Sequence, residues 1–449
     1  MHGGLAFESF RNAKPGSPLY EKGMRHWSLE QLAQNVKGGS LPQVSWVLPP
    51  PIWSEHPHPS SPIQGAEFTS RVLDALTANP EVWSRTVFFL LFDENDGLFD
   101  HVPPPAPPSF NADGSLAGKA TLDLRGYYFS DSERKHLHPE DPALGTVRPW
   151  GLGPRVPMYV ISPWSRGGWV NSQVFDHTSV GQFLERRFGI TIPAISPWHR
   201  AVCGDLTSAF DFAHPNESVV LSLPDVSDSA EIVAEHSKRP KPTPPATPER
   251  LFQEPGVRPS RSLPYRLQVR DQVNSRAGTL SLHFDNRGRA GTVFHVYDRL
   301  HLDRIPRRYT VEADKSLSDL WDCSADGGRY DLWVYGPNGF VREFRGSLDG
   351  ASVEVQARDN STGGSMLLTV RNAGGTACVL TVRPNAYRLD RSWNLTLAPG
   401  RTLTRGWPVA EAGYWYDLTV SAAGFERRLA GRIETGTHGI SDPAMGAGI

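Results

Sequence analysis

Cysteine is scarce. Cys203, Cys323 and Cys378 are odd in number, far apart and in no CxxC spacing, which leaves no basis for a disulfide framework or a cysteine zinc site. They are expected to be small buried hydrophobes. No apolar run is long enough to span a bilayer, and the first thirty residues lack the basic start and apolar stretch of an export signal. Charge of one sign is also missing. The formal net charge is −2 and no run of five like charges occurs, so nothing recommends a nucleic-acid partner or a membrane-binding tail. No GxSxG elbow, P-loop, HExxH or GxGxxG in strand context is found, which argues against the commonest hydrolase, NTPase, zincin and dinucleotide readings. Proline and tryptophan are plentiful, at 39 and 13 residues, and lean the chain toward loop-rich and β-rich structure. A chain of 449 residues, 39% hydrophobic and 21% charged, is long enough for roughly two to four globular domains.

The character of the chain changes near residue 220. Before it, helical patterns alternate with short apolar strands. Ser28 is placed to cap a helix over 29–36, Gln43–Leu48 reads as a strand, and 65–78 reads as a helix with Phe68, Val72, Leu73 and Leu76 on one face. Thr86–Phe92 and Met158–Ile161 read as strands, and Ser179–Phe188 as an amphipathic helix. This is an α/β pattern, expected over 1–222. Residues 223–264 carry nine prolines and read as an extended linker.

Beyond the linker, strands of alternating polarity separated by Gly, Asn and Asp turns continue to about residue 433. This region repeats itself. Leu282–Gly288 answers Leu368–Gly374, with Asn372 standing 86 residues after Asn286. Gly328–Leu332 answers Trp415–Leu418, and Gly339-Phe340 answers Gly424-Phe425, at nearly the same spacing. Two tandem β-sandwich domains are expected, over 265–347 and 350–433, with 434–449 as a tail.

The chemistry concentrates in the first half. Residues 88–102 form an apolar strand that ends in Asp93, Glu94, Asp96 and Asp100 followed by His101. Carboxylates at a strand end are hard oxygen donors suited to Ca²⁺, Mg²⁺ or Mn²⁺, which polarise a phosphoryl oxygen. Asp93 and Glu94 are the expected ligand pair, set against the ordinary reading of a solvated acidic turn. In Trp53–Pro62 a proline-stiffened loop carries His56, with His58 in reserve, and such a histidine can contact a phosphate or protonate a leaving alkoxide. A surface loop that proline merely keeps irregular is the plain alternative. In Asp176-His177-Thr178-Ser179 the acid can orient His177, although helix capping alone explains Asp176 and Thr178. His136, His138 and His199 read as surface residues without carboxylate partners.

Three segments, Trp46–Pro57, Phe92–Pro105 and Asp176–Ser179, resemble the bacterial phosphocholine-preferring phospholipases C, a phosphoesterase family shared with an acid phosphatase. The resemblance extends over nearly the whole chain, because those phospholipases also end in two copies of a small β domain. It implies an alkaline-phosphatase-like α/β core that hydrolyses phosphatidylcholine, or sphingomyelin, to phosphocholine and a lipid alcohol. The membrane surface enters as substrate only. By the same resemblance Asp93 and Glu94 match a metal-binding pair, with Ca or Mn favoured over Zn. His56 matches a phosphate-contacting histidine, His101 and His177 sit in family motifs, and the protein is secreted or periplasmic.

One departure matters. Family members carry an early Glu-Asn-Arg-Ser-Phe-Asp-His motif that completes the metal site, then a Thr or Ser nucleophile, and neither is found before Tyr20. The echo Glu94–His101 belongs to the later motif. The chain therefore resembles the C-terminal portion of the enzyme and is expected to be weakly active or inactive alone, with strands left unpaired. An acid phosphatase-like phosphomonoesterase is one alternative. A non-catalytic binding module built on the β domains, using aromatics such as Trp333, Tyr335, Trp407 or Trp415, is the other, although alternation places most of these in the core.

Overall fold

The structure is a computed structural model that describes residues 3–95, 102–130, 146–215, 225–247, 255–360 and 364–445. It divides into two compact units: residues 1–99, 156–166 and 212–250, and residues 100–155, 167–211 and 251–449.

In the first unit, α1 (Leu29–Lys37) starts where the Ser28 hydroxyl accepts the Gln31 amide at 3.2 Å. Its Val36 packs with Phe68, Val72 and Leu76 of α2 (Pro62–Thr77), and Leu29, Leu32, Trp53 and Phe88 close the cluster. Pro62 sits at the first helical position of α2, where its missing amide costs nothing. Strand β1 (Phe88–Leu91) pairs antiparallel with β2 (Met158–Ile161). The segment read as a strand over Gln43–Leu48 is irregular, and Val44, Trp46, Val47 and Leu48 are exposed. A strand exists only against a neighbour, and this segment has none among the described residues. The linker reading of 223–264 also needs correction. Helix α5 (Ser229–His236) lies in the stretch between Pro224 and Pro240, where no proline interrupts the amide ladder. Pro259–Ser260 pairs with Gly439–Ile440, and Leu263 and Tyr265 are buried.

The second unit holds α3 (Thr178–Phe188), ended by the left-handed Gly189, and α4 (Pro197–Val202). It also holds both β repeats. The first repeat contains β3 (Leu267–Asn274), β4 (Thr279–Asn286), β5 (Thr292–Asp298), β6 (Arg307–Val311), β7 (Ser316–Asp322), β8 (Arg329–Tyr335) and β9 (Val341–Ser347). The second contains β10 (Val353–Asn360), β11 (Ser365–Asn372), β12 (Cys378–Ala386), β13 (Trp393–Leu397), β14 (Thr402–Pro408), β15 (Trp415–Ala422) and β16 (Phe425–Arg432). Each copy has a three-stranded sheet, β7-β4-β3 or β14-β11-β10. The remaining strands form one nine-stranded sheet in the order β13-β12-β15-β16-β9-β8-β5-β6, completed by the short strand Gly118–Ala120. The α/β architecture followed by two tandem β domains is the fold expected from the sequence.

The repeated Asn-x-Gly motif has a physical reason. Asn286 is fully buried, donates to the carbonyls of Ala290 and Val311, and accepts the Gly288 amide at 2.9 Å. Asn372 repeats this with Thr376, Leu397 and Gly374, so one amide side chain closes the same turn in both copies. The copies meet along β9 and β16, where their contacts are reciprocal. Arg342 of the first donates to the Tyr416 hydroxyl of the second at 2.8 Å, and Arg427 of the second donates to Tyr330 of the first at 2.9 Å. Arg427 also meets Asp271 at 2.6 Å. Trp198 of α4 is buried against Tyr127 and Val293 and donates to Thr310 at 3.1 Å, which ties part of the region before residue 222 to the first β repeat. The expected single domain over 1–222 is thus shared between the two units.

Cys203 and Cys323 are buried as expected, whereas Cys378 is only half-buried.

Candidate functional site

Strand β1 is apolar because Phe88 joins the helical cluster, and it stops where Phe92 gives way to Asp93 and Glu94. Both acids are exposed at the strand's C-terminal end. The Glu94 amide donates to Asp93 Oδ1 at 3.0 Å, which turns the chain and sets two exposed acidic residues side by side. As hard, anionic, adjacent donors they suit a divalent cation, and they supply two of the roughly six oxygens such an ion takes. No group of three or more metal-ligating side chains occurs among the described residues. His101, with Asp96 and Asp100, lies outside the described residues.

His56 belongs to the same unit, in a loop that hydrogen bonds hold closed. A short 3₁₀ turn over Pro51–Trp53 is anchored by Trp53, whose ring stands 5.6 Å from Phe68 and lies under the Arg71 guanidinium. Ser54 Oγ accepts the His56 amide at 3.3 Å, and Ser60 Oγ accepts the Glu55 amide at 3.0 Å. The Ser60 amide returns to the His56 carbonyl. His56 Nδ1 lies 3.0 Å from the His58 carbonyl, so Nδ1 must carry the proton and Nε2 remains the basic nitrogen of an exposed ring. Glu55 adopts a left-handed φ of 64°, unusual for a side chain with a Cβ. Its side chain lies over α2 where Gly65 leaves room: a Cβ at 65 would fall 2.0 Å from Glu55 Oε1. Partial burial raises the Glu55 pKa above the ordinary carboxylate value. Glu55 escaped the sequence reading because a positive φ on glutamate has no local signature.

His177 falls in the second unit, exposed at the entry to α3 with helical backbone angles. Asp176 Oδ1 accepts the Thr178 hydroxyl at 2.6 Å, and the Asp176 amide donates to Ser179 Oγ at 3.1 Å. Asp176 Oδ2 lies 3.5 Å from His199 Nε2, and His199 Nδ1 lies 2.6 Å from Ser196 Oγ. His199 is therefore not a surface histidine without a carboxylate. It sits half-buried in the first turn of α4 between Ser196 and Asp176, a pairing that residues 23 apart in sequence do not advertise. Burial, followed by the negative charge of Asp176, pushes the Cys203 thiol far up, so it stays protonated. His136 and His138 lie outside the described residues. Among the aromatics considered for surface binding, Trp407 and Trp415 are buried, and Trp333 and Tyr335 are half-buried. No helix among the described residues is long and apolar enough to cross a membrane.

The Phosphoesterase family profile matches residues 2–191, and that of the bacterial phospholipase C C-terminal domain matches twice, at 259–347 and 351–432. A non-hemolytic phospholipase C of Pseudomonas aeruginosa is 50% identical over 99% of this chain and 64% of its own length. A non-hemolytic phospholipase C of Burkholderia pseudomallei is 43% identical over 98% of the chain and 63% of its own length. A hemolytic phospholipase C of P. aeruginosa is 39% identical over 98% and 62% respectively. The chain thus spans a little under two thirds of the length of these curated relatives.

Proposed function

The chain belongs to the phosphoesterase family, in its bacterial phospholipase C branch, and from that premise we propose that it acts on choline phospholipids as a phospholipase C. The reaction hydrolyses the phosphodiester of phosphatidylcholine, with sphingomyelin as the second substrate, to phosphocholine and a lipid alcohol. The observation that carries the proposal is the exposed Asp93–Glu94 pair at the end of β1, within the family-matched segment.

In this reading Asp93 and Glu94 hold a divalent cation, Ca or Mn in preference to Zn because the donors are oxygens; when bound, it neutralises charge on the phosphoryl oxygens. His56 keeps its Nδ1 proton on the His58 carbonyl. Its Nε2, protonated, donates to a phosphate oxygen or to the departing alkoxide. His101 and His177 are proposed as further contacts to the phosphate or headgroup. Two cation ligands and no nucleophile are assigned within these residues, so turnover by this chain is expected to be slow. The tandem β domains favour the lipid diesterase over a phosphomonoesterase, and the action is proposed to be extracellular or periplasmic. The test is release of phosphocholine from phosphatidylcholine by the 449-residue chain with Mn²⁺ or Ca²⁺, beside release of inorganic phosphate from phosphocholine. Phosphocholine release that chelator abolishes supports the reading. Release of phosphate alone supports the monoesterase, and no release from either contradicts an activity of this chain.

A further inference from the structure

The loop between β5 and β6, residues 299–306, displays apolar side chains that the fold keeps in water. Leu302 is 68% exposed, Ile305 42% and Leu300 37%. The loop is not slack. The Arg299 amide donates to the Asp331 carbonyl at 2.8 Å, the Leu300 amide to Asp298 Oδ1 at 3.1 Å, and the Arg304 amide to the His301 carbonyl at 3.1 Å. His301 Nε2 meets Asp326 at 2.8 Å. Folding the leucines inward would break these bonds, so their exposure is built in. The second repeat presents the same Leu-Asp-Arg sequence at the matching position, with Leu389 70% exposed between β12 and β13. Three exposed apolar residues gathered on one hydrogen-bonded loop, against a single exposed leucine in the other copy, point to contact of the first loop with something apolar.

Charge identifies what that is. Arg299 pairs with Asp331, Arg304 with Asp298, and Arg307 with Asp319. Each of these three cations is matched by a carboxylate of the same repeat, while Asp319 also holds Lys119 at 2.9 Å and the exposed Asp303 stands beside Leu302, so positive and negative charge around the tip are balanced. Such a balance suits neither nucleic acid nor an anionic lipid surface, and it matches zwitterionic headgroups.

We propose that loop 299–306 of the first β repeat is a bilayer-docking tip that inserts Leu300, Leu302 and Ile305 among the acyl chains of a zwitterionic, phosphocholine-bearing membrane. The tip of the first repeat acts alone. Neighbouring strands alternate in direction through β5, β8, β9, β16, β15 and β12, so the ends of β5 and β12 fall at opposite ends of the sheet and Leu389 points away from the surface that Leu302 meets. The choice of lipid rests on the function proposed above, whereas the existence of the tip does not.

The experiment is co-sedimentation of the full chain with phosphatidylcholine vesicles in chelator, where metal-dependent turnover plays no part. The expected result is binding that the triple variant Leu300→Ser, Leu302→Ser, Ile305→Ser lowers roughly tenfold or more, given the apolar area removed, and that Leu389→Asp leaves unchanged. All these side chains are exposed, so each variant should melt as the parent does. Absence of binding to phosphatidylcholine vesicles, binding undiminished in the triple variant, or equal loss in Leu389→Asp would each overturn the proposal. Vesicle binding without hydrolysis in the turnover assay would remove the catalytic reading and leave the tip standing.

Discussion

Glu55 and Gly65 are coupled through space. A methyl group at Gly65 falls where Glu55 Oε1 and Cγ now lie, so Gly65→Ala must expel that side chain and loosen the loop that presents His56. Overpacking of this kind costs about 1–3 kcal/mol, and urea denaturation of the first unit should show it. The expelled carboxylate regains water, so its raised pKa should return toward the ordinary range, which NMR titration can follow. In the β region His295 is buried beside Arg308, and burial, with that cation, lowers its pKa from 6.5 to about 3. The unfolded chain therefore takes up the proton more readily than the fold does between those values. The stabilisation from a neutral His295 is whole above pH 6.5 and declines by about 1.4 kcal/mol for each unit that pH falls toward 3. Guanidinium midpoints measured at pH 7.5 and 5 should differ in this direction, and His295→Leu should flatten the difference.

At the scale of elements, the strand-and-turn grammar was legible and the pairing was not. Helix α1 begins after Ser28 and α3 runs to Phe188 as read, α2 starts at Pro62, three residues before the expected Gly65, and the apolar lead-in to Asp93 forms β1 as read. The repeat showed in sequence because Asn286 and Asn372 close the same turn with equivalent bonds in both copies. What failed depended on neighbours far away in the chain. Gln43–Leu48 has strand composition and no strand to pair with among the described residues, and His199 acquires Asp176 only once α4 packs. The join of β9 to β16 was equally invisible, since Arg342 and Arg427 look like surface arginines on alternating strands. Arg427 is buried. Burial opposes its charge, but Asp271 and Tyr330 outweigh that and raise its pKa. Arg427→Met would leave Asp271 buried and unpaired, at a cost of about 3–5 kcal/mol. Adding Asp271→Leu should recover much of it, and a double-mutant cycle by thermal denaturation measures both.

For the second unit as a whole, one continuous sheet runs through both β repeats, with reciprocal arginine–tyrosine bonds at its centre. Such a pair should unfold as one cooperative body. Calorimetry is expected to show a single transition for the β region with matching van't Hoff and calorimetric enthalpies, and two separable transitions would refute this. The same duplication places Leu302 and Leu389 at opposite ends of the sheet and makes membrane contact a property of one copy.

The proposed cation site depends most directly on the carboxylates that β1 delivers. The decisive measurement is calorimetric titration of the full chain with Mn²⁺ in the presence of phosphocholine, beside the Asp93→Asn, Glu94→Gln double variant. A saturable site that the variant weakens at least about tenfold, a loss of some 1.4 kcal/mol, with melting unchanged, is the expected result. Equal binding in parent and variant, or none in the parent, would contradict the assignment of this strand end as the cation site.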